Sequence, residues 1–284
     1  MYFEYFDFKE APFNLTPNSR FFFDGNKHKE ALNSLFYAIN QRKGFIVITG
    51  EIGSGKTTVS RALINKLDKN TEVALITNTH LSSKDLLLTL LEDLEIEFQP
   101  GFSKSKLLSC LNDYLLAKAH RGQNVVLIID EAQNLKPAVL EEVRMLSNLE
   151  TETDKLIQIV LIGQPELKQK LALSRLEQLR QRVAIYFHLS PLGLEETQEY
   201  ILHRLKVASQ SDRAYFSREA IQLVYRFSKG VPRLINQICD FALLTGYVDG
   251  LKNIDEHIIQ EVINESPMQQ LSIVKSPNMV VTNL

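Results

Sequence analysis

The chain has 284 residues, enough for one large domain or two small ones with a substantial core. Its apolar and charged fractions, 44% and 23%, are ordinary for a globular protein. The formal net charge of −2 gives no overall basic field that would attract nucleic acid or anionic lipid. We find neither a signal peptide nor an apolar stretch of about 18 residues, so we expect a cytoplasmic protein without an intrinsic membrane span.

The apolar pattern predicts strands that alternate with helices as far as residue 190. The predicted strands cover residues 44–49, 71–78, 125–130, 156–163 and 183–190. The predicted helices cover 27–42, 55–67, 82–94 and 104–119, with one more after Pro137 and two short ones within 165–181. This alternation predicts an α/β fold with a five-stranded, mostly parallel sheet sandwiched between helices.

The pattern changes after Pro191, where only helices are predicted, near residues 194–209, 217–228, 232–247 and 255–264. The predicted parts of the chain are an N-terminal segment (1–26), an α/β domain (27–191), a small helical domain (192–265) and a flexible tail (266–284). The N-terminal segment is rich in aromatic residues. It is therefore too apolar for a disordered arm, and we expect it to pack against the domain that follows.

The stretch GEIGSGKTT, residues 50–58, follows the first predicted strand and opens a helix. The spacing Gly50-x-x-x-x-Gly55-Lys56-Thr57 in that context predicts a phosphate-binding loop. Glycines let the backbone approach phosphate oxygens, and the helix N-terminus adds positive charge. The predicted ATP-binding residues are Gly50, Glu51, Ile52, Gly53, Ser54, Gly55, Lys56, Thr57 and Thr58. Lys56 would reach the β- and γ-phosphates, and the Thr57 hydroxyl would bind Mg²⁺.

Two carboxylates end the apolar run VVLIIDEAQ, residues 125–133. Asp130 at the end of a buried strand is placed to hold Mg²⁺, and Glu131 is placed to polarise an attacking water. The alternative is that Asp130 and Glu131 form a solvated strand end that only caps the next helix, since this would give the same sequence pattern. The position about 75 residues after a phosphate loop favours the metal ligand and general base.

With these motifs the chain resembles the AAA+ ATPases, and more narrowly the ExeA/GspA-type ATPases of general secretion and the MshM-type ATPases of pilus biogenesis. The resemblance is carried by MYFEYFDFKEAPFNLTPNSRFFF, by the pair GEIGSGKTT and LIIDEAQNL, and by LIGQPELKQKL, LEQLRQRVAIYFHLSPL and GVPRLINQICDFAL, which together span residues 1–250. It implies a P-loop NTPase domain followed by an all-α lid. Because the chain ends soon after that lid, the resemblance favours the short MshM-type form.

The resemblance also implies further site residues. Gln164 matches a polar residue that senses the γ-phosphate. Arg180 and Arg182 precede the fifth strand, where such proteins place an arginine that reaches the neighbouring subunit's nucleotide; we favour Arg182, and both remain open. Arg233 matches the second sensor arginine of the lid. The N-terminal segment would lie beside the adenine, although no single ring can be assigned to it.

The implied function is an Mg²⁺-dependent ATPase that assembles as a homo-oligomer. It would act on a secretion or pilus machine, with peripheral attachment at the inner membrane through partner proteins. The alternative is an ATP-dependent regulator of transposition, of the related TniB/TnsC type, which binds duplex DNA and recruits a transposase. A nucleotide-binding scaffold without hydrolysis is a third class, but it would have no need of Glu131.

Two further features of the sequence, a histidine and a group of basic residues, do not predict a function. His28 precedes the first strand, and we expect it at the surface or in the first turn of a helix. The alternative is that it lines the nucleotide site. A loose basic set on one helix, made of Lys104, Lys106, Lys118 and Arg121, is expected to be a solvated face rather than a phosphodiester contact.

Overall fold

Five parallel strands form one sheet in the order β2-β3-β4-β1-β5. Strands β1 to β5 span Phe45–Gly50, Thr71–Ile76, Asn124–Ile129, Gln158–Gly163 and Ile185–Leu189. A computed structural model describes residues 2–16, 18–152, 154–209 and 215–265 of the chain. The predicted five-stranded sheet is confirmed, and all four neighbouring pairs are parallel. Consequently the carboxyl ends of all strands lie at one edge, where open α/β sheets bind their ligands.

Helices separate the strands as the sequence predicts. In chain order, helices α1 to α12 span Tyr2–Tyr5, Asn26–Asn40, Lys56–Lys66, Ser83–Asp93, Lys104–His120, Pro137–Leu146, Pro165–Leu171, Glu177–Gln181, Leu194–Ala208, Arg218–Ser228, Pro232–Val248 and Glu256–Glu265. Local signals fix several helix starts. Ser82 and Asp85 form a reciprocal capping box before α4, and proline occupies the first turn of α6, α7 and α11.

The chain forms two units, one of residues 24–190 and one that combines residues 1–23 with 191–284. The first unit contains the sheet. Every residue of β1 and β4 is buried, which explains why these strands read as unbroken apolar runs. The second unit contains α1 and α9 to α12. The predicted tail, residues 266–284, lies outside the described residues.

The N-terminal segment belongs to the helical unit, not to the α/β domain that directly follows it. Its aromatic rings Tyr2, Phe6, Phe8, Phe13 and Phe21 share one buried cluster with the helices after residue 191. The expected packing against the following domain was therefore wrong as a description of where these rings are buried. The segment directly precedes the α/β domain, which is why packing against that domain was expected. The apolar surface that buries its rings instead belongs to the helices after residue 191.

Arg204 of α9 fastens this segment in place. Its side chain is buried, and the guanidinium donates to the main-chain oxygens of Pro12 at 2.5 Å and Asn14 at 3.2 Å, and to the hydroxyl of Tyr200 at 2.9 Å. The guanidinium also lies 4.8 Å from the centre of the Phe21 ring. A guanidinium has several donors in a fixed plane, so one side chain satisfies carbonyl groups that burial would otherwise leave unpaired.

Gly230 holds the start of α11 against the start of the helical unit. Its φ of +75° is in the left-handed region, and a Cβ there would lie 1.9 Å from the carbonyl oxygen of Leu192. The Gly230 carbonyl in turn accepts a hydrogen bond from the Leu192 amide at 2.9 Å. Only glycine fits this position, and it fixes the main chain that leads into Arg233.

We therefore expect Gly230→Ala to lower the free energy of unfolding of the helical unit by more than about 2 kcal/mol, through clash and backbone strain together. The matched control is Gly250→Ala, because Gly250 has a similar φ of +70° but no atom within 4 Å of an added Cβ. This control should lose only about 1 kcal/mol. Chemical denaturation of both variants would measure the difference, and equal losses would contradict the proposed clash.

Candidate nucleotide site

The loop between β1 and α3 has the backbone of a phosphate-binding turn. Gly53 and Gly55 adopt φ values of +80° and +95°, which are easily reached only by glycine. At Gly50 an added Cβ would lie 2.6 Å from the Ser54 hydroxyl and 2.8 Å from the Leu189 carbonyl oxygen. The loop is thus folded back tightly on the end of β1, and three of its residues must be glycine.

Lys56 lies at the start of α3 with its side chain buried. Its ammonium donates to the carbonyl oxygens of Gly50 at 2.8 Å and Glu51 at 2.9 Å, within the curve of the loop. Burial lowers the pKa of Lys56 by removing the ammonium from water. Four carboxylates oppose that shift: Glu131, Asp130, Glu51 and Glu166. These carboxylates therefore offset part of the effect that burial has on the ammonium.

Thr57 and Asp130 meet at the edge of the sheet. The Thr57 hydroxyl donates to Oδ2 of Asp130 at 2.9 Å, while Oδ1 of Asp130 accepts the main-chain N–H of Glu131 at 2.9 Å. Asp130 is only 5% exposed. A hydroxyl and a carboxylate in contact suit Mg²⁺, which prefers oxygen ligands and keeps several of its waters. Thr58 is half-buried in the same turn of α3, whereas Ile52 is 64% exposed on the loop.

Glu131 is held by two amide side chains. Its Oε2 accepts hydrogen bonds from Nε2 of Gln133 at 2.6 Å and from Nε2 of Gln164 at 3.1 Å. Its backbone is left-handed, with φ of +52°, so the chain turns sharply after β3 and directs residues 131–133 along the sheet edge. The predicted sensor and the predicted base are therefore direct neighbours. Gln133 was not predicted, although it stands in the quoted motif LIIDEAQNL.

His28 contacts the phosphate-binding loop. It does lie in the first turn of α2, as expected, but it is 6% exposed, so the expected surface position was wrong. Its Nε2 lies 3.1 Å from the carbonyl oxygen of Ser54, and a Cβ on Gly55 would approach it to 2.9 Å. The glycine makes room for the imidazole, a pairing of residues 27 positions apart that no local pattern reveals.

The three arginines are placed differently. Arg180 at the end of α8 is exposed and donates to the carbonyl oxygen of Ala172 at 3.3 Å. Arg182 is half-buried and donates to the hydroxyl of Ser147 at 3.0 Å. Arg233 is exposed in the first turn of α11, in the helical unit. Within the described residues, neither Arg180 nor Arg182 forms a hydrogen bond to the loop, Asp130 or Glu131.

Comparison with known proteins agrees with this geometry. Residues 39–171 match the family described as AAA domain. The chain contains an AAA domain. Over a longer stretch, the general secretion pathway protein A of Aeromonas hydrophila is 42% identical over 250 residues, which cover 88% of this chain and 46% of that protein. The similarity to the GspA type is thus confirmed in sequence, and this chain spans less than half of the relative's length.

Solved structures share the fold at low identity. Cdc6p from Pyrobaculum aerophilum superposes with a TM-score of 0.68 at 19% identity, covering 94% of this chain and 74% of that one. Drosophila ORC bound to DNA gives 0.65 at 20% identity, covering 98% and 68%. RuvB of Thermotoga maritima, a Holliday junction branch migration motor, gives 0.56 at 18%, covering 83% and 68%. These likenesses establish the AAA fold. No helix within the described residues is long and apolar enough to cross a membrane.

Lys56→Ala should weaken ATP binding by more than about 100-fold. The phosphate oxygens would lose the ammonium and its charge-assisted hydrogen bonds, which contribute about 1.5–3 kcal/mol each. Lys66→Ala is the matched control, since Lys66 lies at the other end of α3, where its ammonium donates to exposed Asn33 and lies over the ring of Phe36. Titration with a fluorescent ATP analogue measures both affinities. Unchanged binding by Lys56→Ala would contradict the assignment of the loop.

Proposed function

We propose that this chain binds ATP with Mg²⁺ at residues 50–58 and hydrolyses it to ADP and phosphate. The observation that carries the proposal is the 2.9 Å contact between Thr57 and Asp130, which joins the Lys56 loop to the strand end that bears Glu131. A turn that bound phosphate for structural reasons alone would not need a buried carboxylate and a second, amide-held carboxylate beside it. The AAA domain match supports the same activity.

The residues divide the chemistry among them. Lys56 would neutralise the β- and γ-phosphates, and Gln164 would donate to the γ-phosphate. Glu131 would take a proton from a water molecule while the oxygen of that water bonds to the γ-phosphorus. At the same time the bond between the γ-phosphorus and the bridging oxygen would break, and that oxygen would leave with ADP. Thr57 and Asp130 would hold Mg²⁺, which supplies positive charge against the phosphate oxygens when bound.

Glu131→Gln should keep ATP affinity while lowering the hydrolysis rate by about 10²–10⁴-fold, because an amide cannot accept the proton. Phosphate release and nucleotide titration measure the two quantities separately. Glu177→Gln, at an exposed carboxylate of α8, is the control for the change in charge and should hydrolyse normally. Normal turnover by Glu131→Gln would remove this residue from the mechanism.

We further propose that hydrolysis requires a homo-oligomer in which one subunit presents an arginine to its neighbour's nucleotide. The two candidate arginines differ in how exposed their side chains are and in what they bond to. Arg180 is exposed and donates to a main-chain carbonyl at 3.3 Å, whereas Arg182 is half-buried and donates to the hydroxyl of Ser147 at 3.0 Å. An arginine that reaches another subunit must leave its own chain, so this geometry favours Arg180 over the initially favoured Arg182.

A mixing experiment tests this arrangement. Arg180→Ala alone should lose about 10³-fold or more in rate, and Glu131→Gln alone is slow as well. A mixture should recover hydrolysis, because a subunit with intact Glu131 then receives Arg180 from its neighbour. The same mixture with Arg182→Ala distinguishes the two arginines, and Arg175→Ala, at an exposed arginine one turn earlier, is the control. No recovery in either mixture would exclude an arginine acting between subunits.

The cellular role that we propose is energy supply or switching for a secretion or type IV-like pilus system, in the cytoplasm with peripheral attachment at the inner membrane. The support is the 42% identity to general secretion pathway protein A over 250 residues. Residues 192–265 would act as the lid over the nucleotide, with Arg233 as its sensor. Residues 1–26 would line the adenine side, and the MshM-type form remains our finer proposal.

The transposition alternative gains little from the structure. Two members of the basic set are paired with carboxylates: Lys104 with Glu142, and Lys118 with Glu72 at 2.6 Å. Paired lysines release fewer counterions from a phosphodiester backbone, so they contribute less to DNA affinity. The three structural neighbours described above, one of them bound to DNA, are at most 20% identical and support the fold only.

A further inference from the structure

Gln133 forms hydrogen bonds through three of its polar groups within the candidate site. Its Nε2 donates to Oε2 of Glu131 at 2.6 Å, and its Oε1 accepts the main-chain N–H of Gln164 at 3.0 Å. Its main-chain oxygen accepts a hydrogen bond from the ammonium of Lys170. Gln133 is therefore bonded to the predicted base, to Gln164 at the N-cap of α7, and to Lys170 in the last turn of that helix.

The end of β4 is shaped to receive this side chain. A Cβ on Gly163 would lie 2.8 Å from Oε1 of Gln133, closer than such atoms approach one another. The strand thus ends in a residue without a side chain at the point where the Gln133 amide lies. Glycine is otherwise unfavourable inside a buried strand, because it loses more backbone entropy than any other residue.

Lys170 secures the main chain on which Gln133 is carried. Its ammonium contacts the carbonyl oxygens of Gln133 and Leu135, the latter at 2.8 Å. Partial burial lowers the pKa of Lys170, with a further contribution from Arg175, and the two carbonyl oxygens accept from the ammonium in place of water. The short turn after Glu131 is thereby tied to α7 by main chain as well as by side chain.

We propose that Gln133 is a positioning residue that fixes the carboxylate of Glu131 relative to Gln164 and so links γ-phosphate sensing to the general base. Both amide bonds to this carboxylate go to Oε2, which leaves Oε1 as the oxygen that takes the proton from water. When Gln164 turns its amide to a phosphate, Gln133 still holds Glu131. This inference rests on the ATPase function proposed above.

Gln133→Ala should lower kcat by about 10- to 100-fold, as loss of a partner that orients a reacting group commonly does, with ATP affinity unchanged. Asn134→Ala is the matched control, because Asn134 lies exposed in the same short turn. Thermal unfolding of both variants verifies that each is folded. Wild-type kcat in Gln133→Ala, or a loss of affinity that accounts for the whole effect, overturns the proposal.

A double variant separates action through Glu131 from a merely structural role. In the Glu131→Gln background, adding Gln133→Ala should lower the single-turnover rate no further, because the group being positioned is already gone. An additional loss as large as in the wild-type background would show that Gln133 acts elsewhere and would overturn the proposal.

Gln133→Glu provides an independent readout. It places a second carboxylate against Glu131, and like charges raise the pKa of one member of such a pair. A proton shared by the pair restores the lost donor, so activity relative to wild type should rise as the pH falls from about 8 to about 6. A profile parallel to wild type overturns the proposal. Wild-type protein that binds ATP without hydrolysing it would instead refute the proposed function, and this inference with it.

Discussion

Three adjacent strand ends supply the candidate chemistry, and the parallel sheet is what aligns them. The phosphate-binding loop follows β1, Gln164 follows β4, and Asp130 and Glu131 follow β3, in the spatial order β3-β4-β1. The bond from Thr57 to Asp130 spans from the first of these ends to the third. A shift in the register of any one strand would separate groups that must lie within a few ångströms. The apolar pairing of the sheet is therefore as necessary to the site as the polar residues.

Around this edge the chain uses small residues to bring polar groups together. Gly50 lets the loop fold onto β5, Gly55 accommodates His28, and Gly163 accommodates Gln133. The left-handed backbone of Glu131 turns the chain along the edge rather than away from it. Such strained or crowded positions cost stability locally and are compensated by the buried sheet beneath them. Among the described residues, five other than glycine have a positive φ, and Glu131 is the one at the candidate reaction centre.

The sequence predicts the sheet well, since buried parallel strands are unbroken apolar runs and the loop motif has a fixed spacing. It also predicts Thr57, Asp130 and Glu131 as one group, because a strand end and a loop start have recognisable positions. It does not predict the contacts of Gln133, which joins residues 31 positions apart, or the burial of His28. Those contacts depend on which helix passes which strand end. The predicted packing of the N-terminal rings was wrong for the same reason, because an apolar composition indicates that a segment is buried but not which surface buries it.

The hydrogen bonds from Arg204 to the N-terminal segment have a consequence for how the protein folds during its synthesis. The helical unit is discontinuous: Tyr2 bonds to Asp240 across 238 positions, and Arg204 holds carbonyl groups about 190 positions earlier. During synthesis the aromatic segment leaves the ribosome before the α/β unit, whereas the helices that bury it leave after that unit. The α/β unit is a single continuous stretch and can complete itself in the meantime. Until residues 192–265 have been synthesised, the nascent chain therefore carries an aromatic segment without the helices that bury it, and such exposed apolar surface favours aggregation.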